Sequence, residues 1–319
     1  MDLGESRERL LIVDGMALLF RAYFATSFTG AIRRTSAGVP VNGVHGWVRY
    51  FWDAVQKFEP TRVVCCWDMG STTFRSGQFE GYKANRPEAP DDLIPQFDLV
   101  KDVVASFGIP NVGISGYEAD DCIGTLAKLY APHADVFILT GDHDMLQLVD
   151  DRITVVIMKK GQGNYAVYTP DYLFEERQLT PAQIVDLKGL MGDTSDNYPG
   201  VKGIGEKTAL KLVLEYGSIE GILGNLDGLS KTIRAKIEAD LDMLHLSRDL
   251  ATIRCDAPVE LEWERCVWAL DHAAAASKFE ELEFGGLIKL ISGGSAPKAK
   301  AKAKVEIDPF VQTAMTLEL

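Results

Sequence analysis

With 319 residues, 46% of them hydrophobic, the chain has enough apolar material for one large domain or two smaller ones, which excludes a wholly disordered polymer. No apolar run approaches the ~18 residues of a membrane span, and the first one, residues 10–13, is too short for a secretory signal, so no membrane association and a cytoplasmic location are expected. The net charge of −13, from 33 basic and 46 acidic side chains, argues against a surface uniformly suited to polyanions, and five scattered cysteines without C-x-x-C spacing argue against a zinc site or a disulfide framework.

Taken in chain order, residues 9–14 read as a buried strand ending on Asp14, followed by a helix over 17–25. Residues 41–58 are aromatic-rich with helical spacing, and 62–67 form a second buried strand that delivers Asp68. Helices are expected over 91–107 and 117–130, with a third strand over 134–139 just before Asp142 and Asp144. Apolar strands alternating with helices indicate an α/β unit with a mainly parallel sheet covered on both faces. Sites in such sheets form beyond the carboxyl ends of the strands, where these acids converge.

After about residue 170 the pattern becomes helical. A Thr-Pro start opens a helix over 180–190, a Gly/Pro/Asn/Asp-rich loop spans 192–205, and helices follow over 206–216, 230–253 and 271–282. Residues 292–304, SGGSAPKAKAKAK, are a low-complexity linker before an apolar C-terminus. The expected division is an α/β core over 1–175, a helical region over 176–291 and a linker with tail over 292–319. The cysteines, Cys65, Cys66, Cys122, Cys255 and Cys266, are expected to be small buried apolar residues.

Five acidic clusters punctuate this framework: Asp14; Asp68; Glu118, Asp120 and Asp121; Asp142 and Asp144; Asp193 and Asp196. Any one of them alone reads better as a helix cap or dipole partner. Together, at strand ends and in Gly-rich loops, they would repel strongly unless divalent cations held them, and hard cations such as Mg²⁺ want several oxygen ligands. A pair of such ions suits phosphodiester hydrolysis. Setting these nine acids aside from the 46 leaves 37 against 33 bases, so the remaining surface is nearly balanced.

Two basic features complete the pattern. Lys83 and Arg86, three residues apart in YKANRP, can reach one phosphate, or can equally be a solvated turn. PGVKGIGEKT, residues 199–208, permits a tight hairpin with backbone N–H groups exposed before a helix, an arrangement that takes up a phosphate. It is not a P-loop, because Glu206 separates Gly205 from Lys207.

LLIVDGMALLFRAYFA, YKANRP, GYEADD, LTGDHDMLQLV and MGDTSDNYPGVKGIGEKTALKLV together resemble the 5′-nuclease family that includes the exonuclease domain of bacterial DNA polymerase I, over roughly residues 9–291. The resemblance implies a PIN-like α/β nuclease core with a helical arch, followed by a helix-hairpin-helix region that grips duplex DNA. It implies two Mg²⁺, replaceable by Mn²⁺, on Asp14, Asp68, Glu118, Asp120, Asp121, Asp142, Asp144, Asp193 and Asp196. Lys83 and Arg86 match the catalytic basic pair at the scissile phosphate. DNA contacts are expected from Arg21, Tyr82, Lys202, Gly203, Gly205 and Lys207, with a K⁺ ion on the hairpin carbonyls. The chain departs from the family pattern in having Trp67, where Phe is usual, before Asp68.

The expected activity is 5′-3′ exonuclease or 5′-flap endonuclease cleavage in replication and repair, by a monomer acting on DNA with a free 5′ end, nick or flap. The alternating apolar residues of 314–319 resemble peptides that bind the sliding clamp, although Gln312 lies two residues too early. Two rivals stay open at this stage: a catalytically weak scaffold for branched DNA, and a phosphatase with an aspartyl nucleophile at Asp142-His143-Asp144.

Overall fold

A computed structural model describes residues 7–27, 30 and 32–292. Residues 293–319, which carry the expected linker and clamp peptide, lie outside the described residues. The strands are β1 (Glu8–Asp14), β2 (Arg62–Cys66), β3 (Asn111–Val112), β4 (Ala134–Thr140), β5 (Ile153–Met158) and β6 (Tyr165–Tyr168), joined in the order β3-β2-β1-β4-β5-β6. Every pairing is parallel except β5 with β6. The central strand β1 is apolar from Leu10 to Val13, all fully buried, because a parallel strand is covered on both faces.

Strand alternation splits the core in two. Leu10 and Ile12 face α5 (Ala119–Tyr130) and the later helices, whereas Leu11 and Val13 face α1 (Gly15–Ser27), α2 (Asn42–Phe58) and α4 (Gln96–Ser106). The register sets Asp14 opposite Cys66, so the ends of β1 and β2 are level and Asp68 follows two residues later. The turn from β1 into α1 needs glycine: a Cβ on Gly15 would lie 2.5 Å from the Trp67 ring. Trp67 occupies that space, packs beside Trp47 and donates its indole N–H to Asn111 at 2.7 Å.

Several expected elements change in detail. The helix expected over 91–107 begins only at Gln96, because Pro90 and Pro95 hold residues 91–95 in turns. The helix expected from 117 begins at Ala119, since Glu118 takes extended backbone as its cap. The helix expected over 230–253 is two, α10 (Lys231–Ala239) and α11 (Leu241–Ala251), broken at Asp240, whose carboxylate accepts the Lys202 N–H at 2.8 Å. Around Lys83 and Arg86, at the base of the expected arch, residues 80–85 and 91–95 are turns and 86–90 irregular; Gly81, Pro87 and Pro90 disfavour a helix there, and hydrogen bonds from Lys83 N–H and Asn85 to the loop at 194–196 tie the segment down. Strands β3, β5 and β6 and the short α3 (Phe74–Gln78) and α6 (Pro170–Arg177) are additions to the expected pattern.

The later helices include α7 (Pro181–Met191), α8 (Glu206–Tyr216) and α9 (Ile219–Leu223), which pack with α10 and α11 against the α5 side of the sheet. By contrast α12 (His272–Glu281) and α13 (Gly285–Ile291) return to the opposite face, where Ala275, Phe279, Phe284, Leu287 and Ile291 join Phe51 and Phe107. The segment expected to belong wholly to the helical region thus ends by closing the α/β core, because its apolar stripe matches the uncovered face of α2 and α4. Four cysteines are buried as expected, but Cys255 is exposed, and all five are free. None of the described helices is long and apolar enough to cross a membrane.

Candidate active site

The carboxyl ends of β1, β2 and β4 open on one side of the sheet, and the N-terminus of α5 points at them. Asp14 ends β1; one of its oxygens accepts the Ala17 N–H at 2.9 Å and the other the Thr140 hydroxyl at 2.7 Å. Thr140 in turn accepts the Asp142 N–H, so the ends of β1 and β4 are tied through one side chain. Asp68 accepts the Ala119 N–H at 2.8 Å, which joins the end of β2 to the first turn of α5. Asp142 caps the 3₁₀ turn His143–Leu148 by accepting the Asp144 N–H at 2.8 Å.

These acids sense one another. Burial, reinforced by the nearby charges of Asp68 and Asp142, pushes the Asp14 carboxyl up to about 7 despite its two hydrogen bonds. Burial, with Asp142, Asp14 and Glu118 close by, also holds Asp120 well above the usual carboxylate range. A set of hard oxygen donors crowded enough to retain protons fits a divalent cation, whose charge would reverse that balance.

The remaining acids are already neutralised by basic side chains. Glu118 accepts Lys83 Nζ at 2.8 Å and the Tyr82 hydroxyl at 3.1 Å. Asp196 accepts Arg86 at 2.6 Å and the same Tyr82 hydroxyl at 3.0 Å. Lys83 is further fixed by a left-handed backbone (φ 55°) and an N–H bond to the Asp196 carbonyl at 2.8 Å. Burial opposes its charge, but Asp196 and Glu118 outweigh this and raise the ammonium above its ordinary pKa. Asp144 and Asp193 share Lys188 Nζ, which lies 2.7 Å from Asp144. Burial pushes Asp144 up to about 7, whereas at Asp193 Lys188 and Ser195 outweigh burial and hold the carboxyl below its usual value. Among the described residues no three acid, His or Cys side chains are already closed around a point as a ligand set.

Asp121 stands apart from its expected role. It is fully buried, both oxygens accept Arg75 at 2.8 Å, and they also take the N–H groups of Glu118 and Arg254. With every lone pair directed at the protein, it anchors the start of α5 in place of offering a metal ligand. Tyr82 is likewise buried, beside Tyr198, and organises Glu118 and Asp196 where a duplex contact was expected. Arg21 donates to the Lys159 carbonyl in the β5–β6 hairpin and makes no hydrogen bond to an acid of the site.

The helix-hairpin-helix runs from α7 through residues 192–205 into α8. Val201 and Ile204 are buried pegs, while Lys202, Gly203, Gly205 and Lys207 are exposed between and beyond them, as a phosphate-binding hairpin requires. Gly203 has φ 80°, and its carbonyl accepts Lys236 Nζ at 2.7 Å. Gly203→Val combines a strained conformation with a Cβ that would start 2.9 Å from that Nζ. We expect it to weaken duplex binding by about tenfold or more, measured by fluorescence anisotropy; unchanged affinity would remove the hairpin from the binding surface.

Arg75, Lys188, Tyr198 and Lys236 escaped sequence reasoning. Arg75 and Lys236 lie outside every acidic or Gly-rich cluster, so no local pattern marks them. Lys188, five residues before Asp193 on a helix whose other charged residue is Asp186, carried at most a weak signal as a charge on a helix that had to pack against the core.

Comparison with known proteins agrees with this arrangement. Residues 9–178 match the family model for the 5′-3′ exonuclease N-terminal resolvase-like domain, and residues 179–273 match that for the 5′-3′ exonuclease C-terminal SAM fold. The chain is 49% identical to a 5′-3′ exonuclease of Bacillus subtilis over 90% of its own length and 97% of that protein. It is 44% identical to DNA polymerase I of Lactococcus lactis over 81% of its length, but spans only 30% of that larger protein. Its fold is similar to that of the bacteriophage T5 flap endonuclease in a pseudo-enzyme-product complex with DNA and metal ions (TM-score 0.64, 23% identity, covering 86% of this chain and 100% of that one).

Proposed function

The chain belongs to the 5′-3′ exonuclease family, and from that premise we propose that it hydrolyses DNA phosphodiester bonds at or near a free 5′ end, nick or flap, with two Mg²⁺ ions that Mn²⁺ can replace. The observation that carries this reading is the arrival of Asp14, Asp68, Asp120 and Asp142 from three strand ends and one helix start at a common mouth, with Lys83 and Arg86 bonded to the acids beside them. Asp14, Asp68, Asp120 and Asp142 would hold one ion, and Asp144 and Asp193 a second, with Glu118 and Asp196 lining the space shared with Lys83. Bound divalent ions supply Lewis acidity, lowering the pKa of an attacking water and neutralising the attacking and leaving oxygens.

The protein's own residues do the positioning. Lys83, released from Glu118 by an incoming phosphate, stabilises negative charge on the scissile group, and Arg86 offers its fork to the same phosphate. The exposed hairpin around Gly203 holds the duplex, and the Lys236 ammonium already on its carbonyl occupies ground where a K⁺ ion would bind. The enzyme acts as a monomer in replication and repair, and its C-terminal tail serves as a clamp-binding peptide. The polymerase activity of the larger relatives is no part of this reading.

The direct test is cleavage of a 5′-labelled flap duplex in Mg²⁺ and in EDTA, with products resolved by size. Cleavage that requires Mg²⁺ and leaves a small phosphomonoester untouched is expected; the reverse pattern would favour the aspartyl phosphatase. For Lys83→Ala we expect kcat to fall about 10²-fold with little change in KM, because its charge matters most as charge develops in the transition state. A raised KM at constant kcat would make Lys83 a binding contact only.

A further inference from the structure

The two halves of the acid cluster are prepared differently. In the half built on β1, β2 and β4, Asp14, Asp68 and Asp142 accept only backbone N–H groups and the Thr140 hydroxyl, and no ammonium bridges them. In the other half a single ammonium, Lys188 Nζ, bridges Asp144 from the 3₁₀ turn and Asp193 from the loop after α7. Its stem is anchored: α7 is pinned by buried Ile184 and Leu190, and Gly189 packs against Arg248 on α11. The side chain is about four-fifths buried, so the ammonium sits inside the site and not at its rim.

A divalent ion held by two carboxylates needs oxygens at ~2.1 Å and takes the point between them. That point lies where the lysine ammonium now makes its two contacts, so the ion and the amine exclude each other. A lysine suits such a place because its charge is compact and its four-carbon stem can swing without moving the helix.

We propose that Lys188 is a built-in counter-ion for the Asp144–Asp193 pair, so that the protein takes up divalent ions in order, first at Asp14, Asp68 and Asp142, and then at Asp144 and Asp193 only as Lys188 is displaced. The inference rests on the two-ion reading above. Lys188 thereby sets the concentration at which the second ion binds, and it keeps buried Asp193 and partly buried Asp144 compensated while that ion is absent.

The test uses the full chain and Mn²⁺ alone, with free Mn²⁺ followed by electron paramagnetic resonance and no DNA present. Wild type is expected to bind one ion at least about tenfold more tightly than a second. Lys188→Met should tighten the second ion by about tenfold or more, Lys188→Arg should leave it weak, and adding Asp193→Asn to Lys188→Met should abolish it. Two equally tight ions in wild type, or an unchanged isotherm in a folded Lys188→Met, overturn the proposal and leave the two-ion reading standing. No Mn²⁺ binding by any form overturns that reading and this one with it. A second measurement needs no variant: acetic anhydride labelling read by mass spectrometry should spare Lys188 in metal-free wild type and reach it at saturating Mg²⁺. Equal protection in both conditions overturns the displacement.

Discussion

Replacing Arg75 by Met is expected to lower the free energy of unfolding by about 3–5 kcal/mol, the cost of leaving a buried carboxylate without its cation. Arg75 is only 2% exposed. It bonds to both oxygens of Asp121 at 2.8 Å and to Glu118 at 3.3 Å, and it donates to the carbonyls of Leu250 and Thr252 at 3.0 and 2.7 Å. One side chain thus joins α3, the first turn of α5 and the C-terminal end of α11. Methionine fills much of the volume but satisfies none of these acceptors, so Asp121 becomes an uncompensated buried charge, while Glu118 keeps Lys83 Nζ at 2.8 Å. Urea unfolding of both proteins at pH 8 checks the size and the sign; a variant within about 1 kcal/mol of wild type would contradict the account.

The largest expected effect on activity comes from Asp142→Asn and Asp193→Asn, one in each half of the acid cluster. Each should reduce cleavage by about 10³-fold or more, the upper end of what a single electrostatic contact to the reacting phosphate contributes. Duplex affinity should stay near wild type, because Asp142 and Asp193 bond to Asp144, Lys188, Ser195 and Asp196 and not to the exposed hairpin residues Lys202, Gly203, Gly205 and Lys207. Asparagine keeps the shape and the ability to accept the Asp144 N–H, while removing the charge that a cation requires. Single-turnover cleavage at saturating Mg²⁺, paired with anisotropy on the same substrate, separates the two effects. Wild-type turnover in either variant would take that carboxylate out of the metal site.

The net charge of −13 is compatible with DNA binding because charge is local. The acids are gathered at the strand ends and are partly neutralised there by Lys83, Arg86 and Lys188. The hairpin presents Lys202 and Lys207 to solvent, with Lys211 one helical turn further on. Phosphate contacts of this kind respond to the nearest few charges and little to the sum over the chain, since screening at physiological salt confines each interaction to about 8 Å.

The sequence by itself determined the elements whose signals are local. Apolar runs gave β1, β2 and β4, because a parallel strand buried on both faces has little choice of residue. Strand ends gave Asp14, Asp68, Asp142 and Asp144, because sites of open α/β sheets lie there. The glycines of 192–205 gave the hairpin, because its left-handed positions admit little else. Only the tertiary structure decided how the acids are shared. Asp120 and Asp121 are adjacent and chemically identical, yet one faces its fellow acids and the other is locked by Arg75, which lies 46 residues away in sequence. Tyr82 was expected as a DNA contact and Lys188 drew no expectation, until folding set both among carboxylates from other segments. The break at Asp240 and the return of α12 and α13 to the far face are also tertiary, since both depend on a partner surface that exists only once the sheet has formed. A charge pairing depends on distance in space, and along this chain the partners that set the chemistry are separated by tens of residues.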